Sequence, residues 1–282
     1  MRTYLYRPAV FVTFLLVCLM FAPARLVIGD REIHPTPSRA PSDDLLIPPS
    51  IEQSFAELCK NDPIGALARS MHRYKQEVEG YTCIMAKQER INGTLNKPEV
   101  IRCDVRESPF SVYLYWVEGR ARAHSLLYPA EGRNDRLAIV PGNEVVRKVM
   151  PYVTRSLDDK EVRAQSRYPI TQSGMNTGLA RAHAAMIVAR DQGMLKTRYD
   201  GIRPIPELGG KLCHVLYRDS DIPEEDGQTH LMLCFDVDNL MQVGAVVHAG
   251  NELVATYFFR DVVLNPRFEP GRFSIDRIKS AK

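Results

Sequence analysis

Five cysteines follow the first 50 residues, and their spacing limits the chemistry they can do: Cys59, Cys83, Cys103, Cys213 and Cys234. None of them forms a C-x-x-C pair, which argues against a zinc site or a thioredoxin-like redox centre. Cys83 and Cys103 flank the turn signal Asn92-Gly93. Cys213 and Cys234 lie symmetrically about an acidic loop, residues 219–227. We expect each pair to face across a hairpin, either as a disulfide or as buried thiols, and Cys59 is left without a partner.

The seven histidines are spread along the chain: His34, His72, His124, His183, His214, His230 and His248. If Cys213 faces Cys234, His214 and His230 point to opposite faces of one hairpin, so they cannot share a metal. We interpret His183, which lies on an apolar helix, as a core or rim residue rather than a general base. The acidic loop matches no calcium-binding pattern because Pro223 interrupts it. The sequence therefore predicts no metal site.

Motifs of the common enzyme classes are missing from the sequence. It contains no G-x-S-x-G, H-E-x-x-H, Walker A or G-x-G-x-x-G pattern. Nothing pairs a nucleophile with a base, so we predict no catalytic residue, no cofactor and a protein that is not an enzyme.

The composition excludes several classes of protein. The 282 residues are 45% hydrophobic and 25% charged, as in an ordinary globular protein rather than a disordered, collagenous or multi-spanning membrane protein. The formal net charge of +3 gives no electrostatic footprint for nucleic acid.

The N-terminus predicts export. Arg2 and Arg7 precede an apolar core, residues 9–22, and Ala22-Pro23-Ala24 resembles a cleavage site. We therefore predict a signal peptide over residues 1–24, with an uncleaved signal anchor as the alternative. Cys18 follows the bulky Val17, which disfavours lipid attachment. Residues 25–50 contain five prolines and are predicted to be a disordered spacer before a single domain, residues 51–282.

Two helices should open this domain. Ser50 and Gln53 form a capping-box pattern ahead of Phe55 and Leu58. Asp62-Pro63 then predicts the start of a second helix. Its apolar stripe ends before Gly80 and consists of Ile64, Leu67, Met71, Tyr74 and Val78.

From Tyr81 the apolar period changes to two, which predicts strands. The run from Phe110 to Val117 is apolar on both faces, so we expect it to be covered on both sides or to face a cavity. Further strands are predicted over these stretches: 126–128, 137–140, 145–149, 212–218, 230–237, 241–248 and 253–264. Between the two blocks of strands, Thr177–Gln192 is so apolar that we expect a buried helix ended by Gly193.

No βαβ alternation is present, so the sheet should be antiparallel. The sequence predicts an α+β fold, a curved antiparallel sheet or half-open barrel with helices covering its concave face.

Three short motifs occur in order along this domain: Tyr81-x-Cys83-x-x-x-Lys87-Gln88-Glu89-Arg90-x-x-Gly93, Arg106-Glu107-Ser108-Pro109-Phe110-Ser111-Val112-Tyr113 and Arg167-x-Pro169-Ile170-x-x-x-Gly174. Together they resemble a family of exported bacterial proteins, domain of unknown function 1571, over Pro63 to Leu264. That family is distantly similar to the lipoprotein-carrier fold (LolA/LolB-like), a half-barrel with helices on its concave face. The resemblance implies a fold and a ligand class but no catalytic residue.

Three functions remain in competition. The first is an envelope or periplasmic protein that binds an apolar ligand, a lipid or lipoprotein acyl chain, with membrane contact during delivery. The second is an envelope structural or interaction domain with a filled core, and the third is a hydrolase without a sequence motif. For the first, the predicted ligand-binding residues form two walls of a cavity: Phe110, Val112, Leu114 and Trp116 on a strand, and Leu179, Met186 and Ile187 on the apolar helix.

Overall fold

A computed structural model describes residues 54–119, 123–130, 132–220 and 227–280. The predicted signal peptide (1–24) and spacer (25–50) lie outside the described residues, as does most of the acidic loop. The described residues form twelve strands: β1 (Gly80–Ile91), β2 (Thr94–Leu95), β3 (Glu99–Arg106), β4 (Ser111–Glu118), β5 (Ala123–Tyr128), β6 (Arg136–Pro141), β7 (Val153–Ser156), β8 (Lys196–Ile205), β9 (Lys211–Asp219), β10 (His230–Asp236), β11 (Gln242–Ala249) and β12 (Glu252–Leu264). They also form six α-helices: α1 (Phe55–Asn61), α2 (Pro63–Glu77), α3 (Glu144–Val149), α4 (Lys160–Arg163), α5 (Met175–Asp191) and α6 (Ile275–Ser280).

All strands belong to one open sheet with the order β7-β6-β5-β4-β3-β1-β12-β11-β10-β9-β8, and β2 pairs only with β1. Every pairing in it is antiparallel. The prediction of an α+β fold on an open antiparallel sheet is therefore confirmed. The two edge strands, β7 and β8, are consecutive in the chain, and the segment between them crosses the sheet and contains α4 and α5.

Helices α1, α2 and α5 pack on one face of the sheet, which we call the inner face. Phe55, Leu67 and Met186 from these helices share a buried cluster with strand residues such as Leu216 and Leu233. The opposite, outer face is covered at β4–β6 by α6, whose Ile278 packs in a separate cluster. Asp104 on β3 holds this C-terminal segment through Arg272, whose Nε lies 2.7 Å from the carboxylate.

None of the helices in the described ranges is long and apolar enough to cross a membrane.

The two opening helices form as the local signals predict. Asp62 caps α2 by accepting a hydrogen bond from Gly65, and Pro63 occupies the first turn. The stripe residues Leu67, Met71 and Tyr74 are buried, as predicted. The capping box predicted at Ser50 lies outside the described residues, and the structure has one at Ser54 and Glu57 instead. Helix α2 ends at Glu77, earlier than predicted, and Gly80 opens β1.

The first cysteine pair lies where its turn signal places it. Asn92 and Gly93 have φ angles of 50° and 79°, as a tight hairpin turn requires. In the resulting register Cys83 lies directly opposite Cys103. Both are buried thiols.

The predicted register of the second cysteine pair is wrong. Cys213 lies opposite Asp236, and Cys234 lies opposite Val215, so the two cysteines are diagonal neighbours on one face. The pairing of β9 with β10 ends at Asp219 and His230, so the loop between them is centred one residue later than a Cys213–Cys234 pair would require. The partner of Cys213 is therefore two residues further along β10. Both are free, and burial raises the pKa of the Cys213 thiol to about 11 and that of Cys234 to about 12.

The apolar helix is not buried on all sides, contrary to the prediction. Helix α5 buries a single stripe containing Leu179 and Met186, whereas Val188 is 55% exposed and Ala184 is also exposed. The error arises from alanine, which is the best helix former but exposes little apolar area. Helix α5 ends as predicted: Gly193 has a φ of 68°, and the Met194 amide donates a hydrogen bond to the Ala189 carbonyl.

Several other elements differ from the sequence prediction, which did not include β7 or α4. The stretch 145–149, predicted as a strand, is α3, because Asn143 accepts hydrogen bonds from the amides of Val145 and Val146 and so caps a helix. Strand β8 was not predicted because it is a charged edge strand without a clear apolar face. Helix α6 was also missed.

Histidine burial couples the packing of α1 to pH. His214 on β9 packs edge-to-face against Phe55 of α1, with ring centroids 5.0 Å apart, and its Nδ1 lies 2.7 Å from the Tyr199 hydroxyl. Burial lowers the pKa of His214, and burial with the nearby Arg190 lowers that of His183.

Lowering the pH below about 6.5, the ordinary histidine pKa, should therefore reduce the free energy of unfolding, because the unfolded chain binds protons that the folded chain does not. Urea unfolding between about pH 8 and pH 5 measures this dependence. His214→Gln should make it shallower, and an unchanged slope in that variant would contradict the assignment.

Candidate functional site

The predicted strand wall lies on the inner face of β3–β5. Directly paired residues share a face, so the pairs Cys103–Leu114 and Leu114–Leu126 place these side chains in one row. Val112 and Trp116 alternate with Leu114 onto the same face. We call Val112, Leu114, Trp116 and Leu126 the inner patch. Val112 and Leu114 are buried, whereas Trp116 and Leu126 are only half-buried.

Phe110 lies in the turn before β4, where it packs on the same cluster as the inner patch. Its ring centroid is 6.0 Å from that of Tyr128. The turn is shaped by Arg106, which donates to the Ser111 hydroxyl at 2.8 Å and to the Pro109 carbonyl at 3.2 Å. The second sequence motif therefore sets the position of Phe110.

The predicted helix wall lies elsewhere. Leu179 and Met186 are buried between α1, α2 and the strands β9–β12, in a cluster separate from that of the inner patch. Ile187 is half-buried. The structure therefore does not bring Leu179 and Met186 to the β4 residues. Instead, Tyr74 and Val78 of α2 and Met175 at the start of α5 join the cluster of the inner patch.

A charged network borders the inner patch, and sequence reasoning missed it. The Nζ of Lys87 lies 2.9 Å from Glu89 Oε2 and 3.4 Å from Glu99 Oε2. Tyr257 on β12 donates its hydroxyl hydrogen bond to Glu89 Oε1 at 2.6 Å. Trp116 of the inner patch donates its indole N–H to Glu99 Oε1 at 3.1 Å. One indole ring thus contacts both the apolar patch and the network.

These charges lie on the inner face because of strand alternation. Lys87 and Glu89 follow Cys83 and Met85 at intervals of two on β1, and Lys87 pairs with Tyr257 and Glu99. This spacing is the sequence signal that could have identified them, a cation and a carboxylate on the apolar face of a strand.

Burial and ion pairing act together on the network. Burial disfavours the charged form of Lys87, but Glu89 and Glu99 outweigh it and raise the lysine pKa. Burial and the neighbouring Glu89 raise the pKa of Tyr257, which stays neutral at pH 7. Both oxygens of Glu89 accept hydrogen bonds, including one from Ser166 at 3.4 Å, so this carboxylate is not poised as a general base.

The segment between β7 and α5 lies over this region. Ser166 contacts Glu89, and Ile170 packs on the cluster of the inner patch. The guanidinium carbon of Arg181 on α5 lies 3.7 Å from the centroid of the Tyr168 ring, in a cation–π contact. Gly174 has a φ of 119°, and a Cβ there would lie 3.0 Å from the Tyr81 hydroxyl, so the segment approaches β1 closely at a position that favours glycine. The first and third sequence motifs therefore meet on the inner face.

Within the described ranges, no group of three or more histidine, cysteine or acidic side chains is arranged to hold a metal ion.

A family model described as protein of unknown function (DUF1571) matches residues 78–278, which confirms the resemblance carried by the three motifs. The search of curated proteins finds no match.

The solved structures to which the chain is similar at low identity include the following three. A DUF1329 family protein from Desulfovibrio piger ATCC 29098 is 10% identical, with a TM-score of 0.39, over 77% of this chain and 100% of that one. Lipoprotein LppX of Mycobacterium tuberculosis is 10% identical, with a TM-score of 0.43, over 74% and 99%. A LolA superfamily protein of Nitrosomonas europaea is 12% identical, with a TM-score of 0.28, over 73% and 96%.

Lys87→Met should lower the free energy of unfolding by about 3–5 kcal/mol, because it leaves Glu89 buried without its cation. Urea unfolding gives this value. Lys148→Met is the matched control, since the Lys148 side chain is 74% exposed, and it should change stability by less than about 0.5 kcal/mol. Equal effects of the two variants would show that the network contributes nothing.

Proposed function

The chain belongs to the DUF1571 family, and we propose that it is a non-enzymatic binding protein of the cell envelope whose ligand is a lipid or the acyl chain of a lipoprotein. In this proposal the apolar part of the ligand lies on the inner patch, against Trp116 and Leu126. The predicted signal peptide supports a location outside the cytoplasm.

The observation that carries the proposal is the incomplete burial of the inner patch. Val112 is 1% exposed and Leu114 is 8% exposed, so the patch rests on a packed core. Trp116 and Leu126 are only partly buried above it, and the three inner-face helices pack mainly over the other half of the sheet. An apolar surface of this kind, bordered by polar groups, is typical of a ligand site.

The charged network suits an amphiphile rather than a plain hydrocarbon. It lies beside Trp116, so a ligand whose chain covers Leu126 can place its polar end near Lys87, Glu89 and Glu99. Because Lys87 is already paired with two carboxylates, the network offers hydrogen bonds rather than an unpaired cation. We therefore expect the apolar contacts to supply most of the affinity.

A second candidate function, an envelope structural or interaction domain with a filled core, is favoured by one observation. Met186 is 0% exposed and Leu179 is 1% exposed, so the half of the inner face that α5 covers is packed with protein side chains.

Trp116 is the only tryptophan in the sequence, which makes its fluorescence a local probe of the inner patch. A fatty acid brominated along its chain should quench this fluorescence and saturate. Leu126→Asn should weaken the binding about tenfold, because it removes roughly one buried aliphatic side chain from the contact. The matched control Leu212→Asn, at a leucine 50% exposed on β9, should bind as the wild type does.

Met186→Ala separates the two candidate functions. It should cost about 2–5 kcal/mol of stability through the cavity it leaves, yet keep the wild-type quenching curve. If the wild type shows no saturable quenching, and protein purified from its own envelope carries no extractable lipid, the filled-core domain is the better description.

A further inference from the structure

Helix α3 exposes an unusual amount of apolar surface for its length. Val149 is 85% exposed and Val145 is 71% exposed, and Val146 and Met150 are also exposed. The helix buries none of its own residues. An apolar surface of this kind marks a contact with something outside the folded chain.

Polar interactions rather than packing hold α3 in place. Asn143 caps its first turn, and Arg147 donates to the carbonyls of Pro141 and Gly142 at 3.3 and 3.0 Å. The Nζ of Lys148 lies 3.5 Å from Oε1 of Glu144, which is one helical turn earlier. The stability of this helix therefore does not require valine at the exposed positions, since alanine or a straight-chain polar residue has a higher helix propensity.

Strand directions locate α3 at the end of the sheet that also contains the charged network. Strand β4 ends at Glu118, β5 starts at Ala123, and Ala123 pairs with Pro141 at the end of β6. Val117, which is 50% exposed, lies at this same end, as do Glu89 and Glu99. The apolar surface of α3 is therefore at the same end of the sheet as the network.

We propose that α3, with Val117, is a membrane-contact surface that inserts Val145 and Val149 into the headgroup region of an anionic bilayer. Within α3, the two cations Arg147 and Lys148 outnumber the one carboxylate, Glu144, and this pairing of cations with apolar residues suits acidic lipids. A protein partner fits less well, because a six-residue helix is far smaller than the roughly 20–30 residues that each side of a stable protein interface provides.

This inference rests on the proposed function, since a lipid carrier must take up or release its ligand at a bilayer. The surface is nevertheless distinct from the inner patch, so the two can fail separately.

The test places a fluorophore on α3. The described cysteines are buried, so Val149→Cys in a Cys18→Ser background should label selectively with an NBD dye. Its emission should rise and shift to shorter wavelength on addition of vesicles containing phosphatidylglycerol, and much less with phosphatidylcholine alone. Val263→Cys is the control, because Val263 is 54% exposed at the opposite end of the sheet and should show no change.

A second variant tests the apolar contact itself. Val145→Asp, with the dye at position 149, should weaken vesicle binding by about tenfold or more while leaving the quenching of Trp116 by brominated fatty acid unchanged. The inference is overturned if the dye at position 149 does not respond to anionic vesicles, or if Val145→Asp binds them as well as the parent. It is also overturned if sedimentation shows self-association that Val145→Asp abolishes, because the surface would then belong to a second copy of the chain.

Discussion

The pairing of β1 with β12 is the interaction on which the rest of the structure depends. It joins the first strand of the sheet to the last, from Tyr81 opposite Leu264 to Glu89 opposite Ala255. Without it, the meander β3–β7 and the meander β8–β12 would be two sheets, each with a further unprotected edge. With it, β1 has partners on both sides and can carry charged residues on a face that is otherwise apolar.

Those charges explain why the packing of the inner face changes from one side of the sheet to the other. On the β9–β12 side, helices α1, α2 and α5 fill the inner face with side chains such as Leu67 and Met186. At β1 the packing changes to Lys87, Glu89 and Tyr257, which form hydrogen bonds and ion pairs with each other. Beyond them, Trp116 and Leu126 are only partly buried, and Ile170 from the segment between β7 and α5 packs on the same cluster. The network thus borders the packed half of the face on one side and the partly buried Trp116 and Leu126 on the other.

Much of the fold could be predicted because its signals are local. Asp62-Pro63 specifies a helix start and Asn92-Gly93 a hairpin, and strict alternation from Tyr81 onward predicts β1. The failures have non-local causes. The register of Cys213 and Cys234 depends on how many loop residues the strands leave unpaired, which spacing alone does not state.

At the candidate site, too, local features could be predicted from the sequence and non-local ones could not. Alternation correctly placed Val112, Leu114 and Trp116 on one face, because that face is a property of the strand. It could not say which helix lies opposite, since this depends on the path of the chain between β7 and β8. Lys87 and Glu89 were visible as charges at intervals of two, but their partners Glu99 and Tyr257 come from two other strands. Helix α3 was misread because its valines favour a strand, and the Asn143 cap overrides that preference.

The β1–β12 pairing also constrains the order in which the chain can fold. Its partners are separated by 166 positions at Glu89–Ala255 and by 183 at Tyr81–Leu264, so these contacts close a very long loop. Contacts of such sequence separation form slowly, whereas the two meanders consist of neighbouring hairpins. During synthesis, one edge of β1 therefore stays unpaired until almost the whole chain has been made. A product truncated before β12 would keep that edge permanently open, with its alternating apolar residues available for aggregation.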